Sequence, residues 1–143
     1  TFYWGDWHLN SVLGSPRAEY ISPTRDLIDA GINLTSHSDC PVIPPNSLRI
    51  IDATTNRVTR SGLILGPGQR TTPYEALLTQ TRWAAYQYFE EDRKGTLTVG
   101  KLADFVILDQ NPLKVDPMKI HTLKVVETIK EGKQVFKKND STY

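Results

Sequence analysis

The sequence predicts an α/β fold in which helices and strands are unevenly distributed along the 143 residues. Residues 22–31 have the pattern of a helix, and the β-branched and apolar residues 32–35 have that of a short buried strand. Reactive side chains follow this strand directly. After Gly95, alternating apolar and polar residues with turn signals predict antiparallel strands. We therefore expect an α/β region followed by an all-β region.

The helix–strand unit has recognisable end signals. Ser22 is a candidate N-cap, Pro23 occupies the first helical position, and Gly31 ends the helix. In α/β barrels and open α/β sheets, the C-terminal ends of strands carry the active site. Residues 37–40 follow the strand and contain a His, a Ser, an Asp and the single Cys. They are therefore the first candidate for a functional site.

Caps also predict two later helices. Residues 47–58 have apolar side chains at helical spacing, with Asn46 or the following serine as N-cap. Thr72 and Glu75 form a capping box that starts a second helix, which continues towards Tyr86 in one piece or two. By contrast, the aromatic-rich start of the chain follows no helical or strand period, so we expect a packed loop there.

The region after Gly95 is predicted to be an antiparallel β layer. Strands are expected at residues 103–109, 125–130 and 134–136. The last two form a hairpin that turns at residues 131–133. The side chains that we expect to be mostly buried are Val126, Ile129 and Val135.

The composition argues against several classes of function. Charged residues make up 23% of the chain and the net charge is +1, so neither a nucleic-acid surface nor a membrane surface is indicated. No apolar run approaches the roughly 20 residues that cross a bilayer. The single cysteine fits a reducing compartment, and we expect a cytoplasmic protein. Because the chain begins with Thr1 and has Met118 as its one methionine, we expect a piece of a longer protein.

Four motifs together resemble those of one hydrolase superfamily. The pattern GxLxxGKxADFVILD at residues 95–109 is similar to the C-terminal signature of the amidohydrolases. The other three are FYWGDWH at residues 2–8, HSDxPV at residues 37–42 and NRxxRxG at residues 56–62. This set resembles amidohydrolase family 3, which includes the N-substituted formamide deformylases. The resemblance extends from residue 1 to about residue 136.

The resemblance implies a metal-dependent hydrolase with a (β/α)₈ barrel and a small β-sandwich. Residues 1–94 would be the last strands and helices of the barrel, and residues 95–143 a segment of the sandwich. The family's His-x-His pair, its Lys or Glu and its two further histidines have no counterpart here. Since a catalytic zinc site needs about three protein ligands, the chain alone is expected to lack most of them.

The resemblance also implies the site residues. Asp39 matches the family's Asp beside the metal, so it is the candidate catalytic residue and a ligand of a divalent metal, expected to be zinc. From the residues alone, an Asp just before Pro41 is more often a turn residue. The expected substrate contacts are His37, His8 and Asp6. A structural role stays open for each of them, in the loop for His37 and in the aromatic cluster for the other two.

Two functions from different classes follow. The first is a segment of a hydrolase that cleaves non-peptide carbon–nitrogen bonds of small amide-type substrates and is inactive alone. The second is a non-catalytic structural or interaction module, because a truncated barrel leaves strand edges and apolar faces that pair with another chain. A small zinc site built from His8, His37, Asp39 and Cys40 is disfavoured by its irregular spacing. His121 lies outside the motifs, and we expect it at the surface.

Overall fold

The computed structural model describes residues 1–139, so the end of the predicted β region, residues 140–143, lies outside the described part. The α-helices are α1 (Gly5–Trp7), α2 (Thr24–Asp29), α3 (Ser47–Asn56), α4 (Pro73–Gln80) and α5 (Arg82–Gln87). A π-helical segment (His8–Leu13) continues α1, and 3₁₀ turns lie at Arg17–Tyr20, Pro67–Gln69 and Pro117–Thr122. The strands β1 (Phe105–Leu108), β2 (Val125–Lys130) and β3 (Lys133–Lys137) form one antiparallel sheet in chain order. The chain is thus a mixture of α and β structure with a small sheet.

Local capping explains α3 and α4. The Asn46 side chain accepts a hydrogen bond from the Arg49 N–H (3.0 Å) at the start of α3. At α4, Thr72 Oγ1 accepts from the Glu75 N–H (3.2 Å), and Glu75 Oε2 accepts from the Thr72 N–H (2.7 Å). Both predicted caps are confirmed. The third helix ends at Asn56, earlier than predicted, because the next residue, Arg57, has a left-handed backbone (φ 56°).

The second helix, α2, begins later than the sequence predicts. It starts at Thr24, and Ser22 has a left-handed backbone (φ 53°) instead of capping the helix. Gln69 Oε1 accepts from the N–H groups of Arg25 (3.1 Å) and Asp26 (3.2 Å) in the first turn. The predicted serine cap is wrong, because a side chain from a distant loop supplies the acceptor.

Residues 32–35 do not form the predicted strand. The backbone of residues 32–38 has no regular secondary structure, and no strand within residues 1–139 pairs with it. A strand persists only where a neighbouring backbone completes its hydrogen bonds. The prediction is therefore wrong for the described chain, because the β1–β3 sheet gives this segment no partner.

The aromatic start of the chain is a turn at residues 2–4 followed by helical residues 5–13, so the predicted loop is wrong from Gly5 onward. Its side chains pack on one another: the rings of Trp4 and Trp7 meet edge to face with centroids 6.1 Å apart. Gly5 is buried, and a Cβ at this position would lie 2.7 Å from Thr59 Cγ2. The absence of a side chain at Gly5 lets α1 approach the loop after α3.

A small apolar core joins the helices to the 3₁₀ turn before β2. Ile51 of α3, Ala76 of α4 and Ile120 of that turn are buried together. Leu77 and Val115 pack against them. The core therefore contains residues from both sides of the predicted domain boundary.

The predicted hairpin is confirmed, but the predicted burial of its side chains is not. Glu131 and Gly132 form the turn with positive φ values of 50° and 76°, as in the two-residue turns that suit twisted hairpins. Val126 and Ile129 are half-buried, and Val135 is 61% exposed. Its strand, β3, lies at the edge of the sheet, and within residues 1–139 the side chain of Val135 is only partly covered.

Arg57 is the largest fully buried side chain of the described residues, with 1% exposure. Burial lowers the pKa of its guanidinium from the ordinary value, and the nearby charge of Arg70 adds to this effect. The guanidinium donates to four backbone carbonyls, those of Leu65 (2.7 Å), Ile21 (2.7 Å), Ser22 (3.1 Å) and Glu19 (3.4 Å). These bonds join the chain before α2 to the loop after α3.

Arg25 and Glu75 connect α2 to α4 by a bidentate ion pair, with both N···O distances at 3.0 Å. The hydrogen bond with Arg25 lowers the pKa of the Glu75 carboxyl, partial burial opposes the shift, and bonds from Thr72 add to the lowering. The folded state therefore favours the ionised carboxylate of Glu75. This pair fixes the helix that leads into residues 32–38.

Replacing Arg57 should destabilise the fold strongly. The substitution Arg57→Met removes the donor from one buried and three part-buried hydrogen bonds to carbonyls, and an orphaned buried group costs about 1–3 kcal/mol. We expect urea unfolding to show a loss of at least about 3 kcal/mol. Arg60→Met is the matched control, because Arg60 is exposed. Equal unfolding midpoints for the two variants would contradict the assigned role of the guanidinium.

Removing the Glu75 charge should change stability in a pH-dependent way. Because the folded pKa of Glu75 lies below the unfolded one, its stabilisation is present above the unfolded pKa and is lost as pH falls through the folded pKa. Glu75→Gln should therefore cost roughly 1 kcal/mol at neutral pH and almost nothing in acid below that pKa. Urea unfolding over a pH series measures the difference. A gap between wild type and variant that stays constant into acid would refute it.

Candidate active site

A cavity of about 520 Å³ lies where the start of the chain, residues 34–39 and α3 meet. Phe2, Tyr3 and Trp4 line one side of it, and His37 and Asp39 line another. Cavities of several hundred Å³ with apolar walls and a few polar groups are the usual form of small-molecule sites. Two of the four predicted site residues are therefore brought together in one cavity.

The loop that carries these two residues is a tight turn. Asp39 has a left-handed backbone (φ 54°), and the Val42 N–H donates to its carbonyl oxygen (2.7 Å). The Asp39 N–H donates to Nδ1 of His37 (3.0 Å). A neutral His37 ring therefore carries its proton on Nε2. The turn leaves the Asp39 side chain exposed on the cavity.

Asp6 lies outside the cavity lining. Its carboxylate accepts hydrogen bonds from Thr59 Oγ1 (2.7 Å), Ser61 Oγ (2.6 Å) and the Ser61 N–H (3.0 Å). These bonds, those of Ser61 first, lower the pKa of the Asp6 carboxyl. In the described chain, these contacts of Asp6 connect α1 to the loop after α3. A substrate contact by Asp6 stays a prediction.

His8 also lies outside the cavity lining. Its Nδ1 is 2.8 Å from the Trp4 carbonyl oxygen, and its ring packs against Trp7 with centroids 5.2 Å apart. The substrate contact predicted for His8 stays a prediction as well.

His121, which we expected at the surface, is half-buried. Its Nδ1 lies 3.3 Å from Oδ1 of the buried Asp52. The reason is that the 3₁₀ turn carrying His121 packs against α3 through the shared core.

Two residues that lie in the cavity wall or contact it were not identified from the sequence. Arg49 of α3 lines it, with its guanidinium carbon 4.4 Å from the Phe2 ring centroid and Nη1 3.0 Å from Asp52 Oδ2. Gln80 donates to the carbonyl oxygen of Ser36, at the base of the reactive loop. The contacts of Arg49 with Phe2 and of Gln80 with Ser36 link residues far apart in the chain, so no local sequence signal identifies them.

The described residues hold no group of three or more His, Cys, Asp or Glu side chains that could bind a metal ion. Cys40 is a free, exposed thiol. Within residues 1–139, no helix combines the length and apolar character that a bilayer crossing requires.

Comparison with known proteins gives one consistent family. The profile of the amidohydrolase family matches residues 1–136. The amidohydrolase YtcJ of Bacillus subtilis is 28% identical over 130 residues, covering 89% of this chain and 25% of YtcJ. The N-substituted formamide deformylase of Arthrobacter pascens is 28% identical over 110 residues, covering 77% of this chain and 20% of the deformylase.

A third relative is the imidazolonepropionase of Streptococcus pyogenes, which is 36% identical over 93 residues, 62% of this chain and 19% of the relative. The chain thus spans a fifth to a quarter of the length of these relatives. No solved structure gives a significant match. Since the family profile covers nearly all of the sequence, the chain belongs to the amidohydrolase family.

Proposed function

We propose that this chain is the segment of a metal-dependent hydrolase that supplies Asp39 to the cleavage of non-peptide carbon–nitrogen bonds. The observation that carries the proposal is the cavity shared by Asp39 and His37 in a chain of this family. The deformylase relative, named for N-substituted formamides, supports an amide-type substrate. Within this proposal the segment is the last part of a (β/α)₈ barrel, residues 1–94, followed by a sandwich segment, residues 95–143, and is inactive alone.

The Asp39 carboxylate suits the proton transfers of amide hydrolysis. A general base accepts a proton from the attacking water, and the same group can return a proton to the leaving nitrogen. Asp39 is exposed on the cavity, and the bond from its N–H to His37 holds its backbone. The proposed role of His37 is to contact the substrate from the neighbouring position on the cavity wall.

The family generally uses divalent metals, and a carboxylate is a suitable ligand for one. The described residues alone do not fit a complete metal site, because Asp39 has no cluster of further ligands around it. We propose zinc as the metal, with Asp39 as the ligand from this chain. If bound there, a divalent metal would make the attacking water more acidic.

The proposed partner is a small amide-type substrate rather than a nucleic acid or a membrane. The net charge of +1 indicates no basic surface. We also propose a cytoplasmic location, because the one cysteine is a free thiol, as is usual in a reducing compartment.

The substitution Asp39→Asn in the full-length protein tests the proposal. Asn keeps the shape of the side chain and removes its basicity, so turnover of N-benzylformamide should fall by roughly 10²-fold or more. Asp92→Asn is the control, because Asp92 is exposed and lies outside the cavity lining. His37→Gln should lower turnover less. Near-normal turnover per bound metal in Asp39→Asn would exclude this residue from the mechanism.

Exposed apolar side chains favour a second candidate function, a structural or interaction module. Tyr88 is 72%, Phe89 91% and Leu97 84% exposed, and Val99 is fully exposed. A contiguous exposed apolar patch marks a site of association with another copy or a partner chain, and we propose that these side chains form one. Such an activity would need no catalytic group.

The isolated 16.2 kDa chain should therefore self-associate. We expect light scattering to give a mass above that of one chain, and an apolar dye to bind. The double substitution Phe89→Ser and Leu97→Ser should lower both signals. A well-behaved monomer without dye binding would count against this second candidate.

A further inference from the structure

Within the part of the chain that the structure describes, side chains of the helices contact the segment that leads to Asp39, and no sheet does. Within residues 1–139, no strand pairs with residues 32–38. The backbone bonds nearest to this segment lie at its two ends, from the Ile32 N–H to the Leu27 carbonyl and from the Val42 N–H to the Asp39 carbonyl. Among residues 1–139, the middle of the segment is therefore contacted by side chains of the helices rather than by a strand.

Those contacts converge on two consecutive residues, Thr35 and Ser36. The Gln80 side chain of α4 donates through Nε2 to the Ser36 carbonyl oxygen. The Thr35 hydroxyl donates to Gln87 Oε1 of α5 (2.6 Å). Thr54 Oγ1 of α3 lies 3.4 Å from the Ser36 hydroxyl oxygen. Three helices thus contact the segment immediately before His37.

Gln80 differs from the other two contacts because it holds the backbone itself. Thr54 and Gln87 contact hydroxyl groups, which rotate freely about one bond. The bond from Gln80 fixes the Ser36–His37 peptide plane, since the carbonyl oxygen belongs to it. The bond is part-buried, which limits competition from water.

The helix that carries Gln80 is well anchored at its other end. The capping box of Thr72 and Glu75 starts α4, and the ion pair between Glu75 and Arg25 joins it to α2. Gln80 is the last residue of α4. Because the N-terminal end of this helix is anchored, the helix holds the Gln80 side-chain amide in place.

We propose that Gln80 is a positioning residue for Asp39, and this proposal rests on the proposed function of that carboxylate. By fixing the Ser36 carbonyl, Gln80 sets the direction in which the chain enters the turn of His37 and Asp39. A misplacement of about 1 Å at a reacting group can cost on the order of 10²-fold in rate. Loss of this bond should therefore lower the rate of the chemical step and leave the affinity for substrate nearly unchanged.

The test uses the full-length protein with two substitutions at one position. Gln80→Met keeps the length of the side chain and removes the donor, and Gln80→Glu places a carboxylate oxygen against the Ser36 carbonyl. Gln110→Met is the matched control, because Gln110 is an exposed glutamine in the loop after β1. Kinetics are measured with N-benzylformamide and N-methylformamide, and hydrogen exchange is followed at the N–H groups of Asp39 and Val42.

Both Gln80 substitutions should lower kcat about tenfold or more, with KM changed less than about threefold, the pattern of an interaction used only in the transition state. They should also speed exchange at Asp39 and Val42, whose N–H groups form the bonds of the turn. Gln110→Met should change neither quantity, and all variants should share the thermal midpoint of wild type within a few degrees.

Two outcomes would overturn the proposal. Unchanged exchange at Asp39 and Val42 would show that Gln80 does not hold the turn. Faster exchange with unchanged kcat would show that the bond has no bearing on the reaction. If the wild-type protein hydrolyses neither formamide, the proposed function fails for these substrates, and the exchange data alone then decide whether Gln80 holds the turn.

Discussion

The buried guanidinium of Arg57 is the contact on which most of the chain around the cavity depends. An isolated charge is expensive to remove from water, and in an apolar interior the group gives up its proton or finds partners. Here the partners are carbonyl oxygens from two separate segments. The resulting network brings the chain before α2 against the loop after α3, and Arg57 itself lines the cavity.

The same network explains why position 66 is a glycine. Its backbone is left-handed (φ 61°), and a Cβ there would collide with the carbonyl oxygen of Glu19. That carbonyl is one of the acceptors of Arg57. The conformation of Gly66 and the burial of Arg57 therefore depend on each other. The close approach of the backbone at Gly66 to Glu19 allows the one guanidinium of Arg57 to bind several carbonyl oxygens.

Local chemistry was predictable from the sequence, and long-range chemistry was not. The capping box of Thr72 and Glu75 needs only residues three apart, and the hairpin turn at Gly132 needs only a residue that accepts positive φ. The cap of α2 failed because Gln69, far along the chain, competes successfully with Ser22. Nothing in the local pattern distinguishes a glutamine that caps another helix from an exposed one.

The candidate site also combines local features that the sequence predicts with long-range contacts that it does not. The motif around Asp39 was recognisable because its residue types and their order resemble those of the family whose profile matches residues 1–136. The strand predicted before it depends on neighbouring strands, and residues 1–139 provide none. The contact of Gln80 with Ser36 spans 44 positions and becomes visible only once α4 is placed against the reactive segment.

The shared core has a consequence for how the chain comes apart. Ile120, from the β-rich half, is buried against Ile51 and Ala76 of the helical half. A protease that cuts the exposed connection near Leu97 would therefore leave two pieces held together by this core. The pieces should migrate as one particle until a denaturant exposes Ile120.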